Sequence, residues 1–560
     1  METTHQPLLK PFLCLLCVLC VFVVNYLLFF HRLADRDLWS SHEARAGMDA
    51  QTVLDDGAWG LPHLFSGEPE LQKPPLYYWL VAAIAWLRGG SVDAWSVRLP
   101  AAGSAVLAVL FLVAFGRARG RFLAGATAAV VLATAMHFTW LARIGRIDMP
   151  LCLTTGVAVG AMVLARREIV ARGAWRVARE EEADNISSRA TRHAPRATIL
   201  LLAYLAVAAS VLLKGPIGAV LPATAVAAHR LVEGELPPPW RWRAWQRLIH
   251  ELGLWWGVPL VLAVTLPWFV WADGVTHGDL YRVFILKHNL ERGLGDGTLR
   301  SYPWWYYGPQ FVSDFLPWSV LLPVAGWVCW RRGYWRTDPE ARFGLTWFLA
   351  VTLVLSCAGF KRGDYLLPAY PGAALFLGCI FANEERHWRE VRPRAAWAAL
   401  CLLPCLLAAG MTAGWLVRVE RGLPAEEPFR DYTRFAAEVR HEAPPPREVL
   451  FFRTEAHALA FHVGRPLAVL VEWKDLGDRI AGSEPHYVVM PPNVANAAPQ
   501  MLPDVRFEKV LENTDLSGGQ HERPLVLMRL ARRVTIGHAG PSHLTADRLA
   551  TAHRGPSRPQ

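Results

Sequence analysis

Runs of about twenty apolar residues recur along this chain, and they limit its fold more than any other feature. Residues 11–30 form the first run, which is long enough to cross the hydrocarbon core of a membrane. Of the 560 residues, 53% are hydrophobic and 19% are charged, whereas a soluble globular protein usually carries about 25% charged residues. A soluble fold could not bury this apolar excess, because only about three quarters of the surface is buried even in large domains. We therefore expect a polytopic integral membrane protein.

About eleven membrane spans are expected. After residues 11–30, they lie near residues 98–116, 122–141, 149–165, 197–213, 215–232, 252–272, 309–330, 343–359, 365–382 and 395–417. The first run is expected to be a span and not a signal peptide, because His31 and Arg32 follow it where a small-residue cleavage site would stand. The 25 Trp and 13 Tyr suit the membrane interface.

The distribution of arginine predicts the orientation. Every second connection between the spans is rich in arginine, namely residues 117–121, 166–196, 230–247, 331–342 and 383–394. By the positive-inside rule these connections face the cytoplasm, together with the N-terminus. The long first loop at residues 31–97, and everything after about residue 417, are then expected on the outer side of the inner (plasma) membrane.

Lysine is distributed in the opposite way. Between residues 11 and 417 the only lysines are Lys73, Lys214, Lys287 and Lys361, and all four fall in connections that are expected to face outward. Positive charge on the side that topology disfavours needs another cause. An anionic ligand at the outer face would supply that cause.

Composition also argues against two classes of function. The net charge of +10 does not indicate nucleic-acid binding, because the basic residues lie in short clusters between apolar segments and form no continuous stripe. The nine cysteines lie within or at the ends of apolar stretches. Cys14, Cys17 and Cys20 have a ligand-like spacing but no histidine or carboxylate beside them, so neither a disulfide framework nor a zinc site is expected.

The chain is expected to divide into two units and a tail. Residues 1–417 would form an all-α membrane unit, with interfacial helices in the loop at residues 31–97. Residues 418–535 would form a small α/β domain outside the membrane, and residues 536–560, rich in Gly, Pro, His, Ser and Arg, a disordered tail. Short strands are expected at residues 449–453, 467–471, 486–490 and 525–530, with helices at 455–463 and 474–481.

The first outer loop and the later span ends carry short motifs in a characteristic order. These are E-A-R at residues 43–45, K-P-P-L-Y-Y-W at 73–79, R-L-P at 98–100, R-I-G-R-I-D at 143–148, K-G-P at 214–216, H-N-L-E-R at 288–292 and K-R-G-D-Y-L-L-P at 361–368. Together they resemble the aminoarabinose-transferase branch of the GT-C glycosyltransferases, which is related to the protein O-mannosyltransferases. The resemblance covers about residues 30–380.

The resemblance implies a fold and an activity. The fold would be a multi-span membrane domain with its active site under the first outer loop. The activity would be an inverting transfer of a sugar from a polyprenyl-phosphate donor, without a nucleotide sugar. The acceptor would be an envelope component, either a lipid A-type glycolipid or a protein.

The resemblance also implies roles for single residues. Its donor-phosphate residues would be Arg45, Lys73, His288, Asn289, Arg292, Lys361 and Tyr365, and its catalytic candidates Glu43, Asp148 and Asp37. Many relatives have an Asp-Glu pair where this chain has His42–Glu43, so that Glu43 or Asp37 would have to serve as base. Gln72 stands where some relatives have an acid that helps to hold a divalent metal. No metal ligand or cofactor is therefore assigned, and metal dependence stays open.

Elementary chemistry points in the same direction. Cleavage of a sugar–phosphate bond builds negative charge on the leaving phosphate, and fixed cations stabilise that charge most in the transition state. Lys214, like Lys73, would stand at the face where a lipid phosphate lies, and His42 adjoins the catalytic candidate. Asp148 also has a plain interpretation as a helix cap before Pro150, and the K-G-P step as a tight turn.

A transporter or flippase of a lipid-linked sugar is the alternative function. Transporters place their binding groups near the middle of the bilayer, often within internal repeats. In this sequence the ionisable residues gather at one face of the membrane, and no repeat is apparent. That distribution favours chemistry on a lipid headgroup.

Overall fold

The computed structural model describes residues 24–181, 196–291, 293, 300–391, 394–480 and 484–532. Most of the first predicted span, the three N-terminal cysteines, Arg292 and the predicted tail at residues 536–560 lie outside the described residues.

The described membrane part of the chain consists mostly of helices joined by loops. After a short helical segment at Tyr26–Phe30, its helices are α1 (Ser41–Asp55), α2 (Leu76–Leu87), α3 (Ala94–Ala118), α4 (Phe122–Ala133), α5 (Met136–Ala142), α6 (Asp148–Glu181), α7 (Arg196–Lys214), α8 (Ile217–Val232), α9 (Trp242–Leu252), α10 (Leu254–Val275), α11 (Tyr307–Asp314), α12 (Leu321–Arg331), α13 (Tyr334–Thr337), α14 (Pro339–Cys357), α15 (Tyr370–Val391) and α16 (Arg394–Val417). A wide π-type helix covers Tyr281–Glu291, and a 3₁₀ segment at Gly363–Ala369 leads into α15.

Seven helices in the described ranges are long and apolar enough to cross a membrane. Two further pairs of helices are bent, and if each pair counts as one span the total is nine. The chain is therefore a multi-pass membrane protein, as predicted. Helix α8, which matches the span predicted at residues 215–232, has only 16 residues and so a length of about 24 Å. It is shorter than the hydrocarbon core of about 30 Å.

The spans predicted at residues 122–141 and 309–330 are each bent, a feature that the sequence did not reveal. Helices α4 and α5 meet at 70°, and the second pair bends by 116° at Pro317, which cannot donate a backbone hydrogen bond. The two bends pack against each other, because the backbone N–H of Met136 donates to the carbonyl of Leu316 at 2.9 Å. The backbone groups freed by the bends thus find partners inside the protein, as a lipid solvent requires.

Glycine allows the central helices to approach closely. A Cβ atom at Gly125 would lie 2.6 Å from the carbonyl oxygen of Leu112, and one at Gly378 would lie 2.2 Å from that of Ala124. Close backbone contact through small residues is the usual way in which membrane helices pack. Helices α3, α4 and α15 therefore form a tight core that supports the helix ends above it.

The C-terminal residues form a five-stranded sheet with flanking helices. Its elements are α17 (Leu423–Glu426), α18 (Thr433–Glu442), β1 (Val449–Phe452), α19 (His457–Val463), β2 (Leu467–Leu470), α20 (Trp473–Arg479), β3 (His486–Met490), α21 (Pro492–Met501), β4 (Val505–Glu512), α22 (Asn513–Leu516) and β5 (Val526–Arg532). The strand order is β2-β1-β3-β5-β4. Strand β1 pairs in parallel with β2 and β3, whereas β5 is antiparallel to β3 and β4.

Strand β4 was not expected from the sequence. Four of its eight residues are charged, in V-R-F-E-K-V-L-E, so it lacks the apolar run by which the other strands were found. It pairs only with β5 and forms an edge of the sheet, where charged side chains are common because they discourage pairing with other chains.

Helix α1 of the first loop packs against this sheet unit. Ala44 and Met48 on α1 lie in one buried apolar cluster with Phe435 and Leu459. At the end of α1, the Arg465 guanidinium pairs with Asp55 at 2.9 Å and with Asp56 at 2.6 Å. The first loop and the sheet unit therefore share one core, and both lie on the same side of the membrane helices.

Candidate functional site

A cavity of about 200 Å³ lies beneath the first loop, and we call it the lysine cavity. Its polar lining consists of Gln72, Lys73, Lys214, His288, Asn289 and Tyr365, and the rest of its lining is mostly apolar, with Ile147, Leu151, Ile217, Leu221, Phe284, Leu355 and Phe360 among the residues. Two ammonium groups and a long apolar wall thus share one space. Five of the residues predicted for the site meet there.

Lys73 is placed by the residues that follow it. Pro74 and Pro75 lead directly into helix α2, and proline suits the start of a helix because its amide needs no partner there. Burial lowers the pKa of the Lys73 ammonium to about 8. In the described part of the chain this ammonium forms no direct ion pair, and the carboxylates of Glu70 and Asp148 raise its pKa only from a distance. A partly buried cation of this kind is poised to accept an anionic ligand.

Asp148 holds the second lysine of the cavity in position. It begins helix α6, and its Oδ1 lies 2.7 Å from the Lys214 Nζ while its Oδ2 lies 3.2 Å from the Arg146 guanidinium. The Lys214 Nζ also lies 4.0 Å from the centre of the Tyr365 ring, a favourable cation–π distance. Asp148 therefore fixes Lys214 at the wall of the lysine cavity and binds Arg146 behind that wall.

Further ion pairs connect Asp148 to other helix ends. Arg146 pairs with Asp364 at 2.8 Å, and Asp364 lies 3.3 Å from the Nε2 of His137. The Nδ1 of His137 is 2.8 Å from Asp314, and Arg362 lies 3.2 Å from Asp364. Charges alternate along this chain of residues, so each group is neutralised by its neighbours. The network joins the ends of α5, α6, α7 and α11 to the 3₁₀ segment that leads into α15.

His42 lies at the edge of this network. Helix α1 starts before it because the Ser40 hydroxyl accepts the backbone N–H of Glu43 at 3.1 Å, the usual N-cap contact. The charge of Lys73, followed by burial and by Arg146, lowers the pKa of His42 to about 2. The imidazole is therefore neutral at physiological pH. Its Nε2 lies 3.3 Å from the Arg362 guanidinium and must accept that hydrogen bond, because arginine can only donate.

Glu43 faces away from the lysine cavity. It is fully buried, with Arg98 Nε at 2.8 Å and the backbone N–H of Gly145 donating at 3.0 Å. Burial alone would raise the pKa of this carboxyl, but Arg98 and Arg36 outweigh burial and lower the pKa to about 2. A carboxylate with so low a pKa is a weak base. In this position Glu43 ties the first loop to α3 and to the segment before α6.

Asp37 lies at the junction between the first loop and the sheet unit. Its carboxylate accepts the backbone N–H of Tyr432 at 3.1 Å and contacts the ring of His462. Its own backbone N–H donates to Glu427 at 2.6 Å. These partners belong to the C-terminal part of the chain, so Asp37 and the lysine cavity are not brought together.

Arg45 is also turned away from the lysine cavity. Its guanidinium pairs with buried Glu70 at 2.9 Å, and it stands beside Gln72, whose amide oxygen can accept from it at 3.0 Å. Arg45 lines a second cavity of about 490 Å³ between the first loop and strands β1 and β2, which we call the strand-end cavity. Near the Arg45–Glu70 pair, Asp49 is fully buried. Burial and the charge of Glu70 raise the pKa of the Asp49 carboxyl well above the usual value.

The other predicted phosphate residues are placed in different ways. His288 and Asn289 enter the lysine cavity from the π-type helix, and the Asn289 amide donates to the carbonyl of Phe284 at 2.6 Å. Lys361 is buried, and its ammonium donates to the carbonyl of Tyr302 at 3.0 Å and to that of Ala358. Within the described ranges, no group of three or more His, Cys, Asp or Glu side chains is placed to hold a metal ion.

Several residues of the network were not singled out from the sequence. Arg146 stands two positions before Asp148, and Arg362 and Asp364 follow Lys361 directly. In the sequence, the indication that these three residues belong to the site is that they stand next to residues predicted for it. His137 and Asp314 lie in helical segments without a motif, so only the folded structure reveals them.

Comparison with known proteins shows which protein families this chain resembles. Residues 72–176 match the family model of dolichyl-phosphate-mannose-protein mannosyltransferases. Among curated relatives, an undecaprenyl phosphate-α-4-amino-4-deoxy-L-arabinose arabinosyl transferase of Shewanella sediminis is 29% identical over 369 residues, and one of Pseudomonas aeruginosa is 27% identical over 401 residues. The alignments cover 65% and 71% of this chain. The chain spans 59% and 65% of the length of these relatives, less than two thirds of either.

Solved structures share the fold over almost the whole chain. ArnT from Cupriavidus metallidurans, in a crystal structure bound to undecaprenyl phosphate, superposes with a TM-score of 0.71 at 18% identity, covering 92% of this chain and 97% of that one. The archaeal oligosaccharyltransferase AglB from Archaeoglobus fulgidus has a TM-score of 0.54 at 12% identity, covering 86% and 70%. The fold is therefore of the GT-C type, as predicted from the motifs.

Proposed function

We propose that this chain, a member of the GT-C-fold family that includes the aminoarabinose transferases and the protein-mannosyltransferase-like enzymes, is a membrane glycosyltransferase. It takes a sugar from a polyprenyl-phosphate carrier and transfers it to an envelope acceptor, a lipid A-type glycolipid or a protein. The N-terminus faces the cytoplasm, and the lysine cavity and the sheet unit face outward.

The composition of the lysine cavity carries this proposal. The ammonium of Lys73 forms no direct ion pair among the described residues, and the carboxylates of Glu70 and Asp148 act on it only from a distance. Lys214 stands in the same cavity. A phosphate would neutralise Lys73, and the apolar wall between α8 and α14 suits a prenyl chain. The relatives named above support this choice of donor, since their names specify undecaprenyl phosphate.

The lysines act on the leaving group in the proposed mechanism. An acceptor oxygen attacks the anomeric carbon of the sugar, and the bond from that carbon to the phosphate oxygen breaks with inversion. The bonding electron pair leaves on the phosphate, where the ammonium groups of Lys73 and Lys214 meet the added charge. Because this charge develops fully only as the bond breaks, the two cations favour the transition state over the bound donor.

A carboxylate is proposed to receive the proton of the acceptor hydroxyl. Of the three predicted candidates, only Asp148 contacts a side chain that lines the lysine cavity, through its 2.7 Å bond to Lys214. We assign this role to Asp148, together with the positioning of Lys214. Asp148 is ion-paired like Glu43, so the assignment rests on its place beside the cavity and not on its basicity. Glu43 and Asp37 are assigned to holding the first loop in place.

The test measures donor binding and transfer by the purified full chain in lipid nanodiscs. Lys73→Ala is expected to lower transfer about 100-fold or more, the usual loss when one group that stabilises developing charge is removed. The matched control is Lys474→Ala, an exposed lysine in α20, which is expected to leave transfer unchanged. Undecaprenyl phosphate binding and transfer at the wild-type level in Lys73→Ala would refute the proposal.

The acceptor is identified in cells. Mass analysis compares envelope lipids and glycoproteins from strains with and without the protein, and a sugar is expected to be missing from one of them in its absence. Adding EDTA to the transfer assay decides metal dependence, which the family resemblance leaves open.

A further inference from the structure

Helix α9 (Trp242–Leu252) lies in an arginine-rich connection and is too short to cross a membrane. Its 11 residues correspond to a length of about 16 Å. Gly253, with φ +67° in the left-handed region, separates it from the span α10. Among the described residues that line the lysine cavity, none belongs to α9. The proposed donor chemistry therefore does not explain this helix.

The sequence of α9 separates apolar from polar residues around the helix. With 3.6 residues per turn, the apolar side chains that share one face are Ala244, Trp245, Leu248, Ile249 and Leu252. The polar side chains on the other face are Arg243, Gln246, Arg247, His250 and Glu251. Leu248 is buried, so the apolar face packs against the protein. Short helices with this pattern and with basic residues on the polar face are typical of the plane of a membrane surface.

Helices α7 and α8 hold the C-terminal end of α9. The Tyr204 hydroxyl donates to the carbonyl of Leu252 at 2.8 Å, and the Arg196 guanidinium donates to that of Glu251. The carboxylate of Glu251, the one acidic residue in the sequence of α9, pairs with Arg230 at 2.7 Å. The acid of α9 is thus neutralised by the neighbouring helix, and the contacts fix which way the polar face points.

The polar face of α9 and the residues just before it carry cations without carboxylate partners. Arg241, Arg243 and Arg247 are exposed, and none of them forms an ion pair with the described part of the chain. Trp240 and Trp242 stand at the start of the same segment and are 80% and 67% exposed. This end of α9 therefore presents three positive charges beside two uncovered indole rings.

An anionic phospholipid surface matches this combination of groups. The fork of a guanidinium matches the oxygens of a phosphate, and indole rings favour the level of the lipid headgroups. Each basic residue near an anionic membrane surface strengthens binding by about fivefold. A polyanion in solution could satisfy the arginines, but it would leave the exposed indole rings in water.

We propose that α9, with Trp240 and Arg241, binds the headgroups of anionic phospholipids at the arginine-rich side of the membrane. This inference does not depend on the proposed enzyme activity. In the proposed orientation it places α9 at the cytoplasmic leaflet, whose surface potential is negative. The arginines contact the headgroup phosphates, and the Arg230–Glu251 pair joins the bound helix to α8.

Hydrogen exchange of the full chain in nanodiscs tests this proposal. Mass spectrometry follows the peptides that cover α9, in phosphatidylcholine alone and in a mixture of phosphatidylcholine with phosphatidylglycerol. No described side chain caps the start of α9, so its first turn should exchange fastest when anionic lipid is absent. Phosphatidylglycerol is expected to slow exchange in this turn at least about fivefold.

Two pairs of charge reversals separate α9 from the rest of the arginine-rich side. Arg243→Glu with Arg247→Glu should abolish the effect of phosphatidylglycerol on α9. The matched control, Arg117→Glu with Arg386→Glu, changes the net charge equally at two exposed positions in other connections. Exchange of α9 in this control should respond to phosphatidylglycerol as in the wild type. Wild-type exchange in the membrane spans shows that both variants are folded.

The same data contain the results that would overturn the proposal. Equal exchange of α9 in the two lipids for the wild type, or a full response to phosphatidylglycerol in the α9 variant, rules out the lipid surface. The competing partner is the acidic segment at residues 180–184 of the chain itself. If that segment binds the arginines, α9 should be protected equally in both lipids and lose this protection in both on charge reversal. Slowing by inorganic phosphate in phosphatidylcholine nanodiscs would assign the arginines to a free anion instead.

Discussion

Lys73 has a lowered pKa and forms no direct ion pair in the described structure, and this combination makes donor binding depend on pH. Its pKa of about 8 means that the amine is cationic below pH 8 and becomes neutral above it. The second pKa of a phosphate monoester is about 6, so the charge of the ligand hardly changes between pH 7 and pH 9. Undecaprenyl phosphate affinity is therefore expected to fall about tenfold over this range.

The Lys73→Arg variant provides the control for this pH dependence. A guanidinium stays protonated throughout the range, so the affinity of this variant should be nearly constant from pH 7 to pH 9. Isothermal titration in nanodiscs measures both proteins. The same slope in the variant and the wild type would show that another group titrates.

Asp49 offers a prediction about stability. Because its pKa is raised in the folded protein, whereas an unfolded Asp loses its proton near pH 4, folding takes up a proton above that pH. Stability should therefore decrease as the pH rises from about 4 towards the folded pKa. Asp49→Asn removes this loss of stability at high pH, because an amide carries no titrating proton and can donate a hydrogen bond to Glu70 as the protonated acid does.

The melting temperature of purified protein tests the role of Asp49. Asp49→Asn should melt above the wild type at pH 8, and the difference should shrink at pH 5. Asp504→Asn, at an exposed position, should match the wild type at both values. A variant that melts below the wild type at pH 8 would mean that Asp49 is ionised in the folded protein.

At the residue scale, the sequence predicts which residues come together at the site. It does not predict the direction in which each side chain points. Their position at span ends on one side predicts Lys73, Lys214 and Tyr365 as site residues, and the structure places all three in the lysine cavity. The place of Glu43 in the first loop also predicts a site residue, yet the first turn of α1 directs its side chain towards Arg98. A motif does not show which face of a helix a residue occupies. Nor does it show a distant partner such as Arg98, which is 55 residues away from Glu43.

At the element scale, apolar runs located the membrane helices, but they could not reveal bends. The run at residues 122–141 is continuous in hydropathy, and its break after Ala133 depends on contacts with the distant segment around Pro317. Strands β1, β2, β3 and β5 were expected from their apolar residues. Strand β4 was missed because pairing with β5, and not its own composition, defines it.

The close contact of α3 with α4 makes a further prediction. Gly125→Ala would place a methyl group 2.6 Å from the carbonyl oxygen of Leu112, so the helices must move apart at a cost of about 1–3 kcal/mol. Gly103→Ala, in α3 itself, meets no atom within 4 Å and should be neutral or stabilising. Thermal unfolding followed by size-exclusion chromatography compares the two, and equal stability would contradict the packing described.

At the scale of the whole molecule, composition alone identified a membrane protein, and the order of the motifs identified its fold. What neither could supply was the contact between the first loop and the sheet unit. The pairs Arg465–Asp55 and His462–Asp37 join residues about 400 positions apart. Such pairs follow from the assembled fold, because nothing local to either segment specifies its partner.

Orientation is a prediction for the intact protein. Cysteines introduced at Glu508 in the sheet unit and at Thr337 in an arginine-rich connection are both exposed. In intact spheroplasts, a membrane-impermeant maleimide should label Glu508→Cys and not Thr337→Cys, and inverted membrane vesicles should give the reverse. The wild-type chain, with its nine native cysteines, sets the background. Labelling of both sites from the same side would reject the proposed topology.

The apolar wall of the lysine cavity has a kinetic consequence. Ile217 and Leu221 belong to the short helix α8, and Leu355 to the end of α14, so a prenyl tail would reach this wall sideways, through the plane of the bilayer. A substrate confined to that plane diffuses in two dimensions, and its encounter rate follows the number of molecules per unit area. Dilution with inert lipid should then slow turnover even when the amount of donor per millilitre stays constant.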